Sequence, residues 1–362
     1  MINIAAPQIG PEEMQAVTQV LESGILAQGP RVRAFEEAFA EMCTVRYAIA
    51  TSSGTTALQT TLLAHGIGPG DEVITSPFTF IASANSMLFT GARPVFIDID
   101  PFTFNIDPSL IEAAITPHTK ALMPVHLYGL ACDMEPILDI ARRHDLLVIE
   151  DACQSHCAVY KDQPVGSFGS GCFSLYPTKN ITAGEGGMIT TSDKTFAEKC
   201  HMIRNHGMAS RDEQDILGFN FRMTDIHAAI GLEQLKKLEG FNRSRQANAH
   251  YLIQNLQGVI VPFVPRDCQH VFNQFTVRVP DGRRDELKQH LSDHGIGSMI
   301  YYPLPVYRQS YYIEQQGYDL HLPNAERAAV EVLSLPVHPG LSEGDLKKIV
   351  SSVNSFFTEY VL

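Results

Sequence analysis

One lysine, Lys179, stands on a turn between two apolar runs. Cys172-Phe173-Ser174-Leu175-Tyr176 reads as a short strand, and Pro177 ends it because proline cannot donate to a ladder. Gly184-Glu185-Gly186-Gly187 follows, where the absence of side chains lets backbone approach a neighbour closely. Met188-Ile189-Thr190-Thr191 then resumes as a strand. A lysine held between buried strands loses part of its hydration, which lowers its pKa and makes the amine a nucleophile toward carbonyl carbons. The plainer reading is a solvated lysine on a glycine hairpin. Against it stands Leu146-Leu147-Val148-Ile149-Glu150-Asp151, a continuous apolar run ending in two carboxylates. Ligands of open α/β sheets sit at the carboxyl ends of strands. An amine that can form a Schiff base and a carboxylate at a strand end are what pyridoxal phosphate (PLP) requires, the carboxylate pairing with the ring nitrogen.

The elements that would position this pair are legible around it. Apolar strands over 47–50, 72–75, 95–98, 121–125 and 146–149 alternate with helical patterns such as Met134 to His144. This alternation predicts a mostly parallel sheet covered on both faces. Thr51-Ser52-Ser53-Gly54-Thr55-Thr56 opens a helix. Hydroxyl residues and glycine there make either a plain N-cap or an anion site of free N–H groups, and beside Lys179 the anion site is the better reading. No Gly-x-Gly-x-x-Gly follows the first strand, which argues against a dinucleotide site. A helix from Pro11 to Gly24 is expected to bury Met14, Val17, Val20 and Leu21. Another, over 226–238, is capped by Thr224 or Asp225 and packs through Ala228, Ala229, Leu232 and Leu235. Phe78 and Phe80 follow a strand and read first as core. His126 reads equally as a site residue or a satisfied structural histidine. Beyond Phe241, a strand over 272–279, helices over 283–294 and 324–333, and a strand at 299–303 suggest a smaller α+β domain.

The run from Ser174 to Gly187, taken with Glu150-Asp151-Ala152-Cys153-Gln154, resembles the DegT/DnrJ/EryC1/StrS aminotransferases. The resemblance extends from Gln28-Gly29 to Pro336. It implies a PLP-dependent transferase of fold type I, with a large domain over 1–240 and a small one over 241–362. The implied activity moves an amino group from an amino acid, L-glutamate, to a keto-sugar, usually nucleotide-linked. By the same resemblance Lys179 anchors PLP and shuttles the proton, and Asp151 holds the ring nitrogen. Gly54, Thr55, Thr56 and Ser174 take the phosphate, Phe80 covers the ring, and Gln154 meets the phenolic edge. Asn220, set between two phenylalanines, reaches the phosphate in the other subunit, which implies a homodimer with shared sites. Tyr301 stands where the family commonly has a histidine. In related sugar dehydratases a histidine replaces the lysine, so Lys179 favours transamination over dehydration.

Composition sets outer bounds. At 362 residues the chain is long enough for one large and one smaller core. A net charge of −13 argues against non-specific nucleic-acid binding. Seven cysteines without framework spacing, and no leader-like or membrane-length apolar run, read as a reduced cytoplasmic protein. Cys153 and Cys157 lack a second ligand pair, so no metal is expected. Two rival readings remain: a PLP-dependent dehydratase or lyase, and a non-catalytic PLP-binding regulator, against which the retained Lys179 and Asp151 count.

Overall fold

The computed structural model describes residues 1–210 and 212–358. Helices α1 (Pro11–Ser23) and α2 (Pro30–Met42) lead into β1 (Tyr47–Thr51). There follow α3 (Gly54–Ala64), β2 (Glu72–Thr75), α4 (Ala82–Thr90), β3 (Arg93–Phe96), the short α5 (Ile111–Ala114), β4 (Thr119–Met123), α6 (Met134–Arg143) and β5 (Leu147–Asp151). A side hairpin of β6 (Val159–Tyr160) and β7 (Gln163–Pro164) precedes β8 (Ser170–Ser174) and β9 (Gly187–Thr191). Then come α7 (Lys194–Arg204), the hairpin of β10 (Met208–Ser210) and β11 (Glu213–Gln214), and the long α8 (Asp225–Asn255).

The central sheet has seven strands in the order β1-β9-β8-β5-β4-β2-β3. Strand β9 runs antiparallel to both its neighbours, and the remaining pairs are parallel. Successive strand residues serve opposite faces. Ile49, Val73, Ala121, Cys172 and Ile189 pack with Leu58 and Leu62 of α3 and Phe196 of α7. Their neighbours Ala50, Ile74, Leu122, Phe173 and Met188 pack with Phe35 and Phe39 of α2 and Ile137 of α6. Burial on both faces is why these strands read as unbroken apolar runs.

Helix α1 forms where its pattern predicts, but its buried stripe differs. Met14 is 64% exposed and Leu21 55%, and the face against the protein is Glu13, Ala16 and Val20. Glu13 is inside because its charge is met there: Lys237 Nζ lies 2.7 Å away, Gln234 Nε2 donates at 2.8 Å and the Gly10 amide at 2.8 Å. An ion pair and a glutamine supplied from α8 cannot be read from the local pattern of α1. Asp225, at the start of α8, accepts from the amides of Gly29, Arg31 and Val32, capping α2 from far along the chain. Thr224, not Asp225, is the N-cap of α8. This helix runs on through position 240, so the expected domain boundary falls inside it.

The remaining elements are β12 (Cys268–Gln269), which pairs with β6, then β13 (Phe275–Arg278), α9 (Arg284–Asp293), α10 (Ser310–Glu314), α11 (Pro323–Glu331), β14 (Val332–Leu335) and α12 (Glu343–Thr358). Strands β13 and β14 pair antiparallel. Their inner residues join Leu287, Leu291, Ile349 and Val353 in a second core, to which α8 contributes Ala249 and Leu252. The strand expected at 299–303 is reduced to a single bridge between Met299 and Ser334. No helix among the described residues is long and apolar enough to cross a membrane.

Candidate active site

A cavity of about 700 Å³ opens at the carboxyl ends of β5 and β8. The start of α3, the start of α4, the turn between β8 and β9, and segments 273–274 and 300–302 enclose it. Of the residues singled out in the sequence, it gathers Gly54, Thr55, Phe80, Asp151, Gln154, Ser174 and Lys179.

Lys179 sits on a tight turn whose amide donates to the Tyr176 carbonyl at 2.9 Å. Burial lowers its pKa, and the nearby Cys153 and Asp151 oppose that shift only in part. The amine is therefore easier to deprotonate than a surface lysine. The glycines beside it have the expected use. Gly184 adopts φ +82°, and a Cβ on Gly187 would lie 2.2 Å from the Ser53 carbonyl oxygen. That approach lets β9 pass directly behind the turn that opens α3.

Asp151 ends β5, with Glu150 facing the other way. The Ser83 hydroxyl donates to Asp151 Oδ2 at 2.6 Å, and the Cys153 amide to Oδ1 at 3.2 Å. Thr79 and Ser83 hydroxyls are 2.9 Å apart, so with the Ser83 proton committed to Asp151, Thr79 donates to Ser83. This chain fixes the carboxylate and leaves it lone pairs for a further donor. Glu150 instead accepts the amides of Gly166, Phe168 and Gly169 and the Nε2–H of His126. His126 Nδ1 accepts from the Cys132 amide. His126 is thus a satisfied structural histidine outside the cavity lining.

Ser53 caps α3 by accepting from the Thr56 amide at 3.1 Å, while the Thr56 hydroxyl accepts from the Ser53 amide at 2.9 Å. The amides of Gly54 and Thr55 are left without an acceptor among the described residues. Thr56 is spent on the cap and does not line the cavity. A Cβ on Gly54 would sit 2.8 Å from Ser174 Cβ and 3.0 Å from Cys153 Sγ, so this turn closes on β8 only with glycine.

Phe78 and Phe80 divide between core and site: Phe78 is fully buried and Phe80 57% exposed, facing the cavity. Tyr302 lies beside Phe80, ring centroids 6.4 Å apart. Its hydroxyl accepts from Gln154 Nε2 at 3.1 Å, and Gln154 Oε1 accepts the Tyr128 amide at 2.9 Å. Burial pushes the Tyr302 phenol upward, so it stays protonated. Tyr301 also lines the cavity, its carbonyl held by the Tyr128 hydroxyl. Asn220 is exposed, bridged to Asn205, and outside the cavity of its own chain. Ser83 and Tyr302 were missed in the sequence. Ser83 is one of many serines and gains meaning only from its position in space.

The residues present fit PLP. They offer a half-buried amine, an anchored carboxylate, two free amides at a helix N-terminus and an aromatic face, all around one cavity. Comparison with known proteins decides the family. Residues 7–354 match the DegT/DnrJ/EryC1/StrS aminotransferase family. The chain belongs to that family. It is a PLP-dependent aminotransferase with the fold-type-I architecture. It is 43% identical to the GDP-perosamine synthase of Caulobacter vibrioides, over 98% of this chain and 97% of that one. It is 41% identical to a pleiotropic regulatory protein of Geobacillus stearothermophilus, over 98% and 96%. Among solved structures, S. venezuelae DesV in complex with a ketimine intermediate superposes with a TM-score of 0.92 at 39% identity, covering 95% of this chain and 94% of that one.

Proposed function

We propose that this family member aminates a keto-sugar carried on a nucleotide, with L-glutamate as amino donor, in a homodimer that shares its active sites. The observation that carries the reading is the convergence of Lys179, Asp151 and the Gly54–Thr55 amides on one cavity large enough for a cofactor and a sugar. The GDP-perosamine synthase relative supports a nucleotide-sugar substrate.

PLP supplies an aldehyde carbon that takes up amines and a ring that accepts the electron pair left at the donor's α-carbon. The protein's own groups do the rest. Lys179 Nζ would hold the cofactor at rest; once released, its free amine would remove the donor's α-proton as general base and give it back two bonds away as general acid. Its lowered pKa suits both roles. Asp151, fixed by Ser83 and the Cys153 amide, keeps a proton on the ring nitrogen. The Gly54 and Thr55 amides and Ser174 orient the phosphate, and Phe80 covers the ring. Gln154, tied to Tyr302, stands at the phenolic edge. Asn220 is exposed on its own chain, which suits a role in the partner's site.

Retention of this machinery favours the transferase over a regulator, although one relative carries a regulatory name. The test is incubation with glutamate and a panel of nucleotide-linked keto-sugars, followed by mass spectrometry. An amine formed with an equal amount of 2-oxoglutarate supports the reading. Loss of water without oxo-acid would replace it with dehydration.

A further inference from the structure

We propose that Asn273 is a positioning residue for Lys179, the end of a chain of buried amides that ties the lysine turn to α8 and to the segment entering the small core. Asn273 Nδ2 donates to the Thr178 carbonyl at 3.3 Å and to Asn180 Oδ1 at 3.0 Å. One side chain thus grips the residues on both sides of Lys179. Asn180 Nδ2 donates to Asn242 Oδ1 at 2.7 Å and to the Val271 carbonyl at 2.9 Å. Asn242 Nδ2 donates to the His156 carbonyl at 3.0 Å. All three amides are buried.

The orientation of each amide is fixed by chemistry. The carbonyls of Thr178, Val271 and His156 can only accept, so each asparagine must present its NH2 group there. That choice turns Asn180 Oδ1 toward Asn273 and Asn242 Oδ1 toward Asn180. The chain has no alternative flipped state that keeps its bonds.

Asn273 is also held from behind. Arg245 Nη1 on α8 donates to the carbonyls of Phe272 at 3.2 Å and Asn273 at 3.4 Å. The same Asn273 lines the cavity, next to Gln274. A ligand in the cavity therefore lies beside the residue that holds the Thr178 carbonyl and the Asn180 side chain, on either side of Lys179. Groups of fixed or variable charge around Lys179 are Asp151 and Cys153 from the end of β5, His156 behind the turn, Arg245 of α8, and Tyr176, Glu185, Tyr301 and Tyr302 in the cavity wall. None of these contacts Lys179's neighbours as Asn273 does.

The inference rests on the reading of Lys179 as the cofactor's anchor, and the test separates the two. Asn273→Leu keeps most of the volume without adding charge and cannot donate to the Thr178 carbonyl; Asn242→Ala breaks the chain one link away and outside the cavity lining. In cofactor-free protein, the pH dependence of Lys179 acetylation is followed by mass spectrometry. Both variants are expected to move its midpoint toward that of the surface lysines, Asn273→Leu more than Asn242→Ala. In the loaded enzyme kcat should fall on the order of ten- to a hundredfold, with KM for the donor moving much less, as for a misplaced catalytic group. Asn273→Ser, which restores a donor, should recover part of the loss. A lower melting temperature with an unchanged acetylation midpoint and unchanged kcat would overturn the proposal. Borohydride fixing PLP to a lysine other than Lys179 in the unmodified protein would instead overturn the reading of the site, while the acetylation profile would still decide whether Asn273 positions this turn.

Discussion

At the scale of single residues, the site depends on an amine that gives up its proton readily and a carboxylate that does not move. Burial serves the first at Lys179; the Ser83 hydroxyl and the Cys153 amide serve the second, holding one oxygen of Asp151 each. Asp151→Asn should keep the fold, since an amide fills the same space and can still accept from Ser83. It should lose activity by on the order of a hundredfold or more, as when a preorganised electrostatic partner is removed. Steady-state turnover with glutamate, read beside an unchanged melting curve, checks this; near-normal turnover would mean that another acid serves the ring. Lys179 and Asp151 were legible because each stands at the end of an apolar run, where a charge needs a reason. Ser83 was not, since it reaches Asp151 across 68 positions of sequence.

At the scale of elements, the sheet and its helices followed from periodicity, and the errors have a common cause. Strands buried on both faces announce themselves as continuous apolar runs. A surface helix such as α1 announces its length but not its inner face, because Glu13 can be inside only if Lys237 and Gln234 arrive from α8. The strand expected at 299–303 failed for a related reason: only Met299 finds a partner there. Glycines, by contrast, marked a real close approach. Gly187→Ala would place a methyl carbon 2.2 Å from a backbone oxygen of Ser53, a contact no rotamer can relieve. The expected cost is about 1–3 kcal/mol, typical of overpacking. It should fall first on the α3 opening, so that the variant retains PLP less well. Dialysis against buffer, with bound PLP measured by absorbance, reads this, and full retention at an unchanged melting temperature would show that the turn has slack.

At the scale of the whole molecule, two properties follow from what is buried and what is left outside. Burial holds His156 and His270 down to about 3 and His65 down to about 4, so all three are neutral in the folded chain at pH 7 while an unfolded chain protonates them below about 6.5. Their contribution is complete above pH 6.5 and is lost as pH falls toward 4 and below, with a slope of up to about 1.4 kcal/mol per pH unit for each histidine. The ring nitrogens of His156 meet no hydrogen-bond partner among the described residues, and its ring lies against Phe39 and Phe173. His156→Phe should therefore hold its stability at pH 7 and show a shallower acid slope in urea denaturation. The second property is what remains outside. Asn220 is exposed beside a loop whose Leu217 is 82% exposed, and α1 turns Met14 and Leu21 outward. Apolar side chains on an outer face and a polar tip outside its own cavity are what a two-fold contact with a second copy would use. If Asn220 serves the partner's cavity, complementation follows from geometry alone. Mix Lys179→Ala protein, expected to be inactive, with Asn220→Ala protein, expected to be weakened. In a mixed dimer one cavity receives both defects, and the other combines an intact Lys179 with an intact Asn220 from the partner. Random pairing makes half the dimers mixed, so about a quarter of all cavities should be restored. Activity rising above the average of the two parents after subunit exchange, and only after exchange, is the expected outcome. If Asn220 serves its own cavity, the mixed dimer merely carries one dead and one weakened site, and activity stays at the parental average however long the subunits are mixed.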